Sequence, residues 1–224
     1  MNKLFDLDSP IMRFLSRMTD LVFLSLLWFL CCLPIITIGP STAAMYYVTL
    51  KLARKEEEVS ISRCFFKGFK DNFKQGIILN LIFIVVWAVL FFDYLIMSNA
   101  EGTAGVTSSF VFLVMGIWWL CIMFYTYPLQ AQFYNSIRRT LLNAAILSMR
   151  KLVNTVIVFT LNMLPLIVAF LSLEIFIRLA PVWVLLTPGV AAYLCSVRFV
   201  KLFDPYLKPD SSEEVTGTEP DEEA

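Results

Sequence analysis

The chain of 224 residues contains no histidine, the side chain that most often serves as general base or metal ligand. It also lacks a glycine-rich phosphate loop and the H-E-x-x-H and G-x-S-x-G patterns of metalloproteases and hydrolases. Its five cysteines show neither metal-ligand spacing nor a disulfide framework: Cys31, Cys32, Cys64, Cys121 and Cys195. These absences predict a protein that is not an enzyme, with no catalytic, cofactor-binding or metal-binding residues and with reduced, buried thiols.

Charge is also scarce. Charged residues make up 16% of the chain and hydrophobic residues 58%, and the mean hydropathy of +0.74 is too high for an ordinary soluble domain. Residues 21–50 carry no charge, and further charge-poor runs cover 76–92, 102–137, 152–173 and 179–197. A membrane-spanning helix needs about 20 apolar residues. The sequence therefore predicts an all-α integral membrane protein rather than a soluble helical bundle with a very apolar core.

The predicted architecture is a bundle of five to six transmembrane helices joined by amphipathic cytoplasmic helices. One polytopic domain occupies residues 1–208, with spans at about 21–33, 40–53, 76–97, 106–127, 152–173 and 179–197. Because several spans follow the first, we do not expect cleavage of a signal peptide. The tail 211–224 has six acidic residues and no basic one, which predicts disorder.

The first apolar run contains the motif L-P-I-I-T-I-G-P-S-T-A-A at positions 33–44. As one straight helix, residues 21–50 would extend about 45 Å, well beyond a hydrocarbon core of about 30 Å. Pro34 disrupts a helix, Gly39 tolerates almost any backbone dihedral, and Pro40 suits the first turn of a new helix. We expect a turn at Pro34, Thr37, Gly39 and Pro40, with a helix beginning near Pro40. The run then crosses twice as a hairpin or once with a kink.

Basic residues alternate between the connections, as expected if Lys and Arg near helix ends stay cytoplasmic. They cluster at 3–17, 51–74, 138–151 and 198–208, whereas the connection after residue 97 has none and the one after 173 has only Arg178. With a hairpin in the first run, 17 of the 18 basic residues are cytoplasmic, and so are both termini. A single kinked crossing would instead place the N-terminal cations outside.

The segment 61–74 has the pattern of an amphipathic helix. Phenylalanines and Ile61 share one face, and the opposite face carries Arg63, Lys67, Lys70 and Lys74. This pattern predicts contact with anionic lipids of the inner leaflet, and the alternative is docking of a cytoplasmic partner. The segment 136–151 repeats the pattern more weakly.

Uncharged polar residues within the predicted spans are candidates for function because an unpaired polar group is costly in lipid. Asn80, Gln130 and Asn162 form a possible polar lining of a solute path. The alternative is that Asn80 and Asn162 only join helices by hydrogen bonds.

The motif at 33–44, preceded by Trp28, resembles the YesL family of bacterial membrane proteins, as does Y-P-L-Q-A-Q-F at 127–133, followed by Asn143 and Ala144. The resemblance covers about residues 5–207. It implies a small polytopic protein of the bacterial cell membrane, associated with carbohydrate uptake and sensing and without an established biochemical activity. The partners it implies are a sugar ABC permease or a sensor protein.

Three functions remain open. The first is a non-enzymatic accessory or regulatory component linked to carbohydrate uptake. The second is a small transporter or channel for an uncharged solute, acting as an oligomer. The third, a membrane-embedded enzyme, has least support because the catalytic patterns are absent. No feature of the sequence indicates a nucleic-acid partner.

Overall fold

The computed structural model describes residues 10–56, 59–98 and 103–207, and within these ranges all regular structure is helical. The helices are α1 Pro10–Cys32, α2 Ile38–Ala53, α3 Ile61–Asp71, α4 Phe73–Ser98, α5 Thr103–Gln132, α6 Ile137–Arg150, α7 Leu152–Leu171, α8 Leu173–Arg178, α9 Ala180–Leu185 and α10 Thr187–Leu207. Lys3, Lys208 and the acidic tail 211–224, predicted to be disordered, lie outside the described residues.

Four of the described helices are long and apolar enough to cross a membrane: Phe14–Cys32, Phe73–Met97, Gly105–Gln132 and Leu152–Leu171. At most 28% of any of their most apolar windows is buried within the protein. Large apolar side chains therefore face outwards, among them Phe170, which is 93% exposed, and Val106, which is 74% exposed. An apolar surface of this extent is stable in lipid and not in water, so the protein is an all-α membrane protein.

The chain reverses direction between α1 and α2. Near the start of α1, the Arg17 guanidinium donates to the Leu52 carbonyl at 3.3 Å, and near the turn the Trp28 indole donates to the Thr42 hydroxyl at 3.2 Å. A 3₁₀ turn, Ile35–Thr37, connects the two antiparallel helices. α2 begins at Ile38, two residues before the predicted start, because the first N–H groups of a helix have no intrahelical partner and proline is tolerated among them.

Gly39 has a role that differs from the predicted one. It lies in the first turn of α2 with helical geometry, so its conformational freedom is not what the turn requires. Instead, α2 and α4 pack backbone to backbone: a Cβ atom on Gly76 would lie 2.7 Å from the Pro40 nitrogen, and one on Gly39 would overlap the Gly76 carbonyl oxygen. Glycine is needed at both positions because no side chain fits between the two helices.

α2 is the central helix of the bundle, and eleven of its sixteen residues are buried. α3 and the start of α4 run antiparallel beside it, as Gly68 lies against Tyr47 and Gly76 against Pro40. α10 packs on another side of α2, where Tyr46 contacts the ring of Phe199. The helix is thus enclosed by protein, whereas α4, α5 and α7 have largely lipid-facing surfaces.

The predicted span at 179–197 differs from the structure. The chain forms the short helix α9, breaks at Leu186 and continues as α10, which extends to Leu207. Proline explains the break, because Pro188 is the second residue of α10, has no N–H to continue the preceding helix and restricts the residue before it. The break places Trp183 and Thr187 beside the cavity described below.

A buried hydroxyl pair joins α2 to α10. Thr49 Oγ1 and Ser196 Oγ are 2.7 Å apart, and both side chains are fully buried. This hydrogen bond links the two helices inside the bundle.

Replacing Ser196 with alanine is expected to destabilise the protein by about 1 kcal/mol. The double variant with Thr49→Val should lose less stability than the sum of the losses in the two single variants. Unfolding by SDS in mixed micelles measures these values. Thr160→Val on the exposed face of α7 serves as control, and additive costs would contradict direct coupling.

Candidate binding site

A cavity of about 310 Å³ lies between α1, α2, α4, α5, α7 and the α9–α10 break. It is lined by Trp28, Ile38, Thr42, Met45, Tyr46, Asn80, Met123, Phe124, Tyr127, Leu161, Asn162, Pro165, Trp183, Thr187, Pro188 and Ala191. Its volume is at the lower end of the range for small-molecule sites, about 300–1,000 Å³. Its walls are mostly apolar with a few polar groups, which is also typical of such sites.

Two of the three predicted lining residues meet at this cavity. The Asn80 amide on α4 donates to the Ile35 carbonyl at 2.9 Å and so ties the connection between α1 and α2 to α4. On α7, the Asn162 amide donates to the Val158 carbonyl at 2.8 Å and contacts the Cys195 sulfur at 3.6 Å. Both side chains thus join helices and line the cavity, so the two alternatives considered for them are compatible.

Gln130 is not part of the cavity. It is buried, and its Nε2 donates to the Asn72 carbonyl at 3.3 Å, at the junction of α3 and α4. Its Oε1 has no hydrogen-bond partner among the described residues. The structure therefore separates Gln130 from Asn80 and Asn162. The sequence does not show this difference, because all three are uncharged polar residues within apolar runs.

Aromatic residues contribute much of the cavity wall. Trp28, Tyr46, Tyr127 and Trp183 lie on four different helices. The Trp183 Nε1 atom is buried and has no hydrogen-bond partner within the described part of the chain. Sequence reasoning assigned none of these four residues to a site. Their only sequence signals were the positions of Trp28 beside the motif at 33–44 and of Tyr127 at the start of the stretch 127–133. Residues from distant segments come together only in the folded bundle.

No charged residue is found among the residues that line the cavity. The available chemistry is that of amides, hydroxyl groups, an unpaired indole N–H and aromatic rings. Such groups form hydrogen bonds with an uncharged polar molecule and pack against its apolar faces, and they leave an ionic ligand without a counter-charge. The arrangement suits a small neutral ligand that carries hydroxyl groups.

The predicted amphipathic helix ends at Asp71, three residues earlier than expected, and α4 begins at Phe73. Its apolar face packs in part on protein: Ile61 and Phe65 are buried and Phe69 is half-buried, whereas Phe66 and Phe73 are exposed. The opposite face is exposed at each of its basic positions: Arg63, Lys67, Lys70 and Lys74. The helix therefore presents cations outwards and packs part of its apolar face against the bundle, where Gly68 lies against Tyr47 of α2.

The connections that carry these cations meet at one end of the bundle. Gln75 on α4 donates to the Asn135 carbonyl after α5 at 2.7 Å, and the rings of Phe133 and Phe203 are 5.4 Å apart. The start of α1 reaches the end of α2 through Arg17, as described above. Arg178, the predicted exception, pairs with Glu174 on α8, beyond the other end of α7. The basic clusters of the described residues are thus neighbours in space.

The chain matches one family of unknown function and two proteins described as uncharacterized. Residues 21–94 match a protein family of unknown function, DUF624. The Uncharacterized protein YesL of Bacillus subtilis (strain 168) is 27% identical over 132 residues, which cover 58% of this chain and 62% of YesL. The Uncharacterized protein YteU of the same organism is 23% identical over 125 residues, which cover 54% of this chain and 56% of YteU. The matched regions thus span less than two thirds of either relative.

No solved structure matches the chain. The family match includes the motif at 33–44 together with Gly76 and Asn80, the residues that contact the motif's helix and turn. These findings confirm the resemblance of this chain to the YesL-type membrane proteins.

Proposed function

We propose that this protein is a non-enzymatic accessory or regulatory component of carbohydrate uptake in the bacterial cell membrane. The observation that carries the proposal is the charge-free cavity, whose wall combines the amides of Asn80 and Asn162 with five aromatic side chains. A sugar offers hydroxyl groups to amides and an apolar face to aromatic rings. Binding of such a solute would bias the packing of α2 against α7 and α10.

The exposed basic face of α3 supports a role that depends on partners. Because Ile61 and Phe65 are buried against the bundle, the helix is held firmly while its cations stay available. Arg63, Lys67, Lys70 and Lys74 contact anionic lipids of the inner leaflet in this proposal, and they also offer a surface to a sugar ABC permease or a sensor protein. Each cation near an anionic surface contributes about 1 kcal/mol.

The same proposal fixes the orientation in the membrane. The basic end of the bundle faces the cytoplasm, as do both termini, and the Glu174–Arg178 pair lies on the outer side. In this proposal the α1–α2 hairpin enters the membrane from the cytoplasmic side and returns to it, and the count of five to six membrane segments stays a prediction. α3 and α6 are the cytoplasmic connecting helices.

A small transporter for an uncharged solute, working as an oligomer, is the second candidate function. The position of the cavity between α4, α5 and α7, which are long enough to cross the membrane, favours it. A transporter needs a route to both sides, and Gln130, the third predicted lining residue, lies away from the cavity.

Sugar binding can be followed by tryptophan fluorescence, because Trp28 and Trp183 line the cavity. In nanodiscs, methyl glucoside or a neutral disaccharide is expected to change the emission saturably, and gluconate is not. Asn162→Leu should weaken binding about tenfold, since it removes a hydrogen-bonding group from the site. Asn154→Leu is the matched control on α7, half-buried but outside the lining, and should bind normally. Failure of the wild-type protein to respond to any neutral sugar would overturn the proposal.

Two further measurements separate the candidates. Reproducible co-purification of a sugar permease after mild detergent extraction supports the accessory role. Saturable sugar flux into liposomes that contain only this protein supports the transporter and contradicts the accessory role.

A further inference from the structure

A second gap, of about 380 Å³, lies at the basic end of the bundle and shares no lining residue with the first cavity. It is formed by the end of α5, the following loop, α6 and the end of α10. Its lining comprises Leu129, Phe133, Asn135, Asn143, Ile146, Leu147, Arg150 and Phe203. The predicted functions do not use this gap.

The lining changes from apolar to polar between its floor and its mouth. Leu129 and Phe203 are 4% and 1% exposed and form the floor, whereas Ile146 is 49% exposed and Arg150 is exposed at the end of α6. Asn143 lies two turns before Arg150 on the same helix, so both can face the same side of the gap.

The wall is held in place by contacts with other helices. Phe133 packs edge-on against Phe203, with ring centroids 5.4 Å apart. The Asn135 carbonyl accepts a hydrogen bond from Gln75 on α4 at 2.7 Å. The gap therefore exists before any ligand binds, which lowers the cost of binding.

The charges around the gap are mostly basic. No acidic residue occurs between residues 102 and 173, a range that includes the whole of α5, α6 and α7. Arg138, Arg139 and Lys151 are exposed on and beside α6. Within the described ranges, the guanidinium of Arg150 makes no ion pair. Asp204, next to Phe203 in sequence, is 3.9 Å from Arg54.

We propose that this gap binds one anionic glycerophospholipid. The phosphate contacts Arg150 and the amide of Asn143 at the mouth, and the first methylene groups of an acyl chain pack on Leu129, Phe133 and Phe203. Basic pockets between membrane helices on the cytoplasmic side recognise anionic headgroups in this way. A soluble anion would leave the apolar floor unused, so the geometry points to a lipid.

Lipid-dependent thermal stability of the purified full-length protein tests this site. Phosphatidylglycerol is expected to raise the Tm in detergent, and phosphatidylcholine with the same acyl chains is not. Arg150→Gln should weaken the apparent affinity about fivefold, as expected for one cation near an anionic lipid, so that about fivefold more phosphatidylglycerol gives the same rise in Tm. Arg178→Gln, at the other end of the bundle, should leave it unchanged.

A second pair of variants tests the wall without disturbing the core. Ile146→Glu places an acid in the gap and should abolish the phosphatidylglycerol effect, whereas Leu142→Glu, one turn earlier, equally exposed and outside the lining, should preserve it. Native mass spectrometry should find one retained phosphatidylglycerol per wild-type chain. Equal shifts from both lipids, an unchanged response of Arg150→Gln, or the same shift from inorganic phosphate would each overturn the proposal. None of these outcomes depends on sugar binding.

Discussion

The Gly39→Ala protein is expected to lose about 10 °C in Tm in mild detergent, or to fail to accumulate. A Cβ atom at this position would overlap the carbonyl oxygen of Gly76 and lie 2.9 Å from Cβ of Asn80. Overpacking usually costs about 1–3 kcal/mol, and here the obstacle is backbone, which cannot change rotamer. For a chain of this size, about 3 kcal/mol corresponds to a Tm change of about 10 °C.

Gly76→Ala should produce a loss of similar size, because its Cβ would lie 2.9 Å from Cα of Pro40 on the other side of the same contact. Gly116→Ala on α5 is the control, since its Cβ would meet the Trp87 ring at an ordinary 3.7 Å. That variant should be neutral or slightly stabilised, as alanine has the higher helix propensity. Fluorescence-detected size exclusion and thermal unfolding measure all three variants. Normal stability of both Gly39→Ala and Gly76→Ala would show that the two helices can move apart freely.

A cysteine at position 16, in a chain without its five native cysteines, is expected to stay unlabelled by an impermeant maleimide in intact cells. Ser16 is exposed near the start of α1, close to the end of α2, where the basic clusters meet. Arg13 and Arg17 flank Ser16, and basic residues near the end of a membrane helix are retained on the cytoplasmic side. Permeabilised cells should show full labelling.

The matched position is Ile177 on α8, which is 63% exposed at the other end of α7. Ile177→Cys should be labelled in intact cells. Labelling of position 16 from outside would contradict the proposed entry of the hairpin from the cytoplasmic side. The two positions therefore give opposite results if the hairpin enters and leaves on the cytoplasmic side.

Most helices could be placed from the sequence. The predicted spans at 76–97 and 152–173 correspond to α4 Phe73–Ser98 and α7 Leu152–Leu171, because long apolar runs bounded by charged or turn residues favour helices in lipid. The turn around Pro34 was also predictable, since proline acts on the local backbone. Helix boundaries differ from the predicted ones where the local sequence is compatible with more than one helix end. Examples are the start of α2 at Ile38 and the break near Leu186.

The candidate sites were less predictable. Asn80 and Asn162 were singled out because polar residues are rare in apolar helices, and they share a cavity, but Gln130 met the same criterion and lies elsewhere. Trp183 lines the cavity because the chain breaks between α9 and α10, which the sequence did not predict. The apolar face of α3 suited lipid equally well by pattern, but in the structure part of it packs against the bundle.

Hydropathy and charge by themselves determined that this chain is a helical membrane protein, where its long helices run and which connections are basic, because these properties depend on neighbours within a few turns. Tertiary structure alone decided that Gly39 meets Gly76, that α2 is enclosed, and that residues from six segments line one neutral cavity. These contacts join positions far apart in the chain, and their energies depend on the shapes of the facing surfaces, which no local pattern encodes.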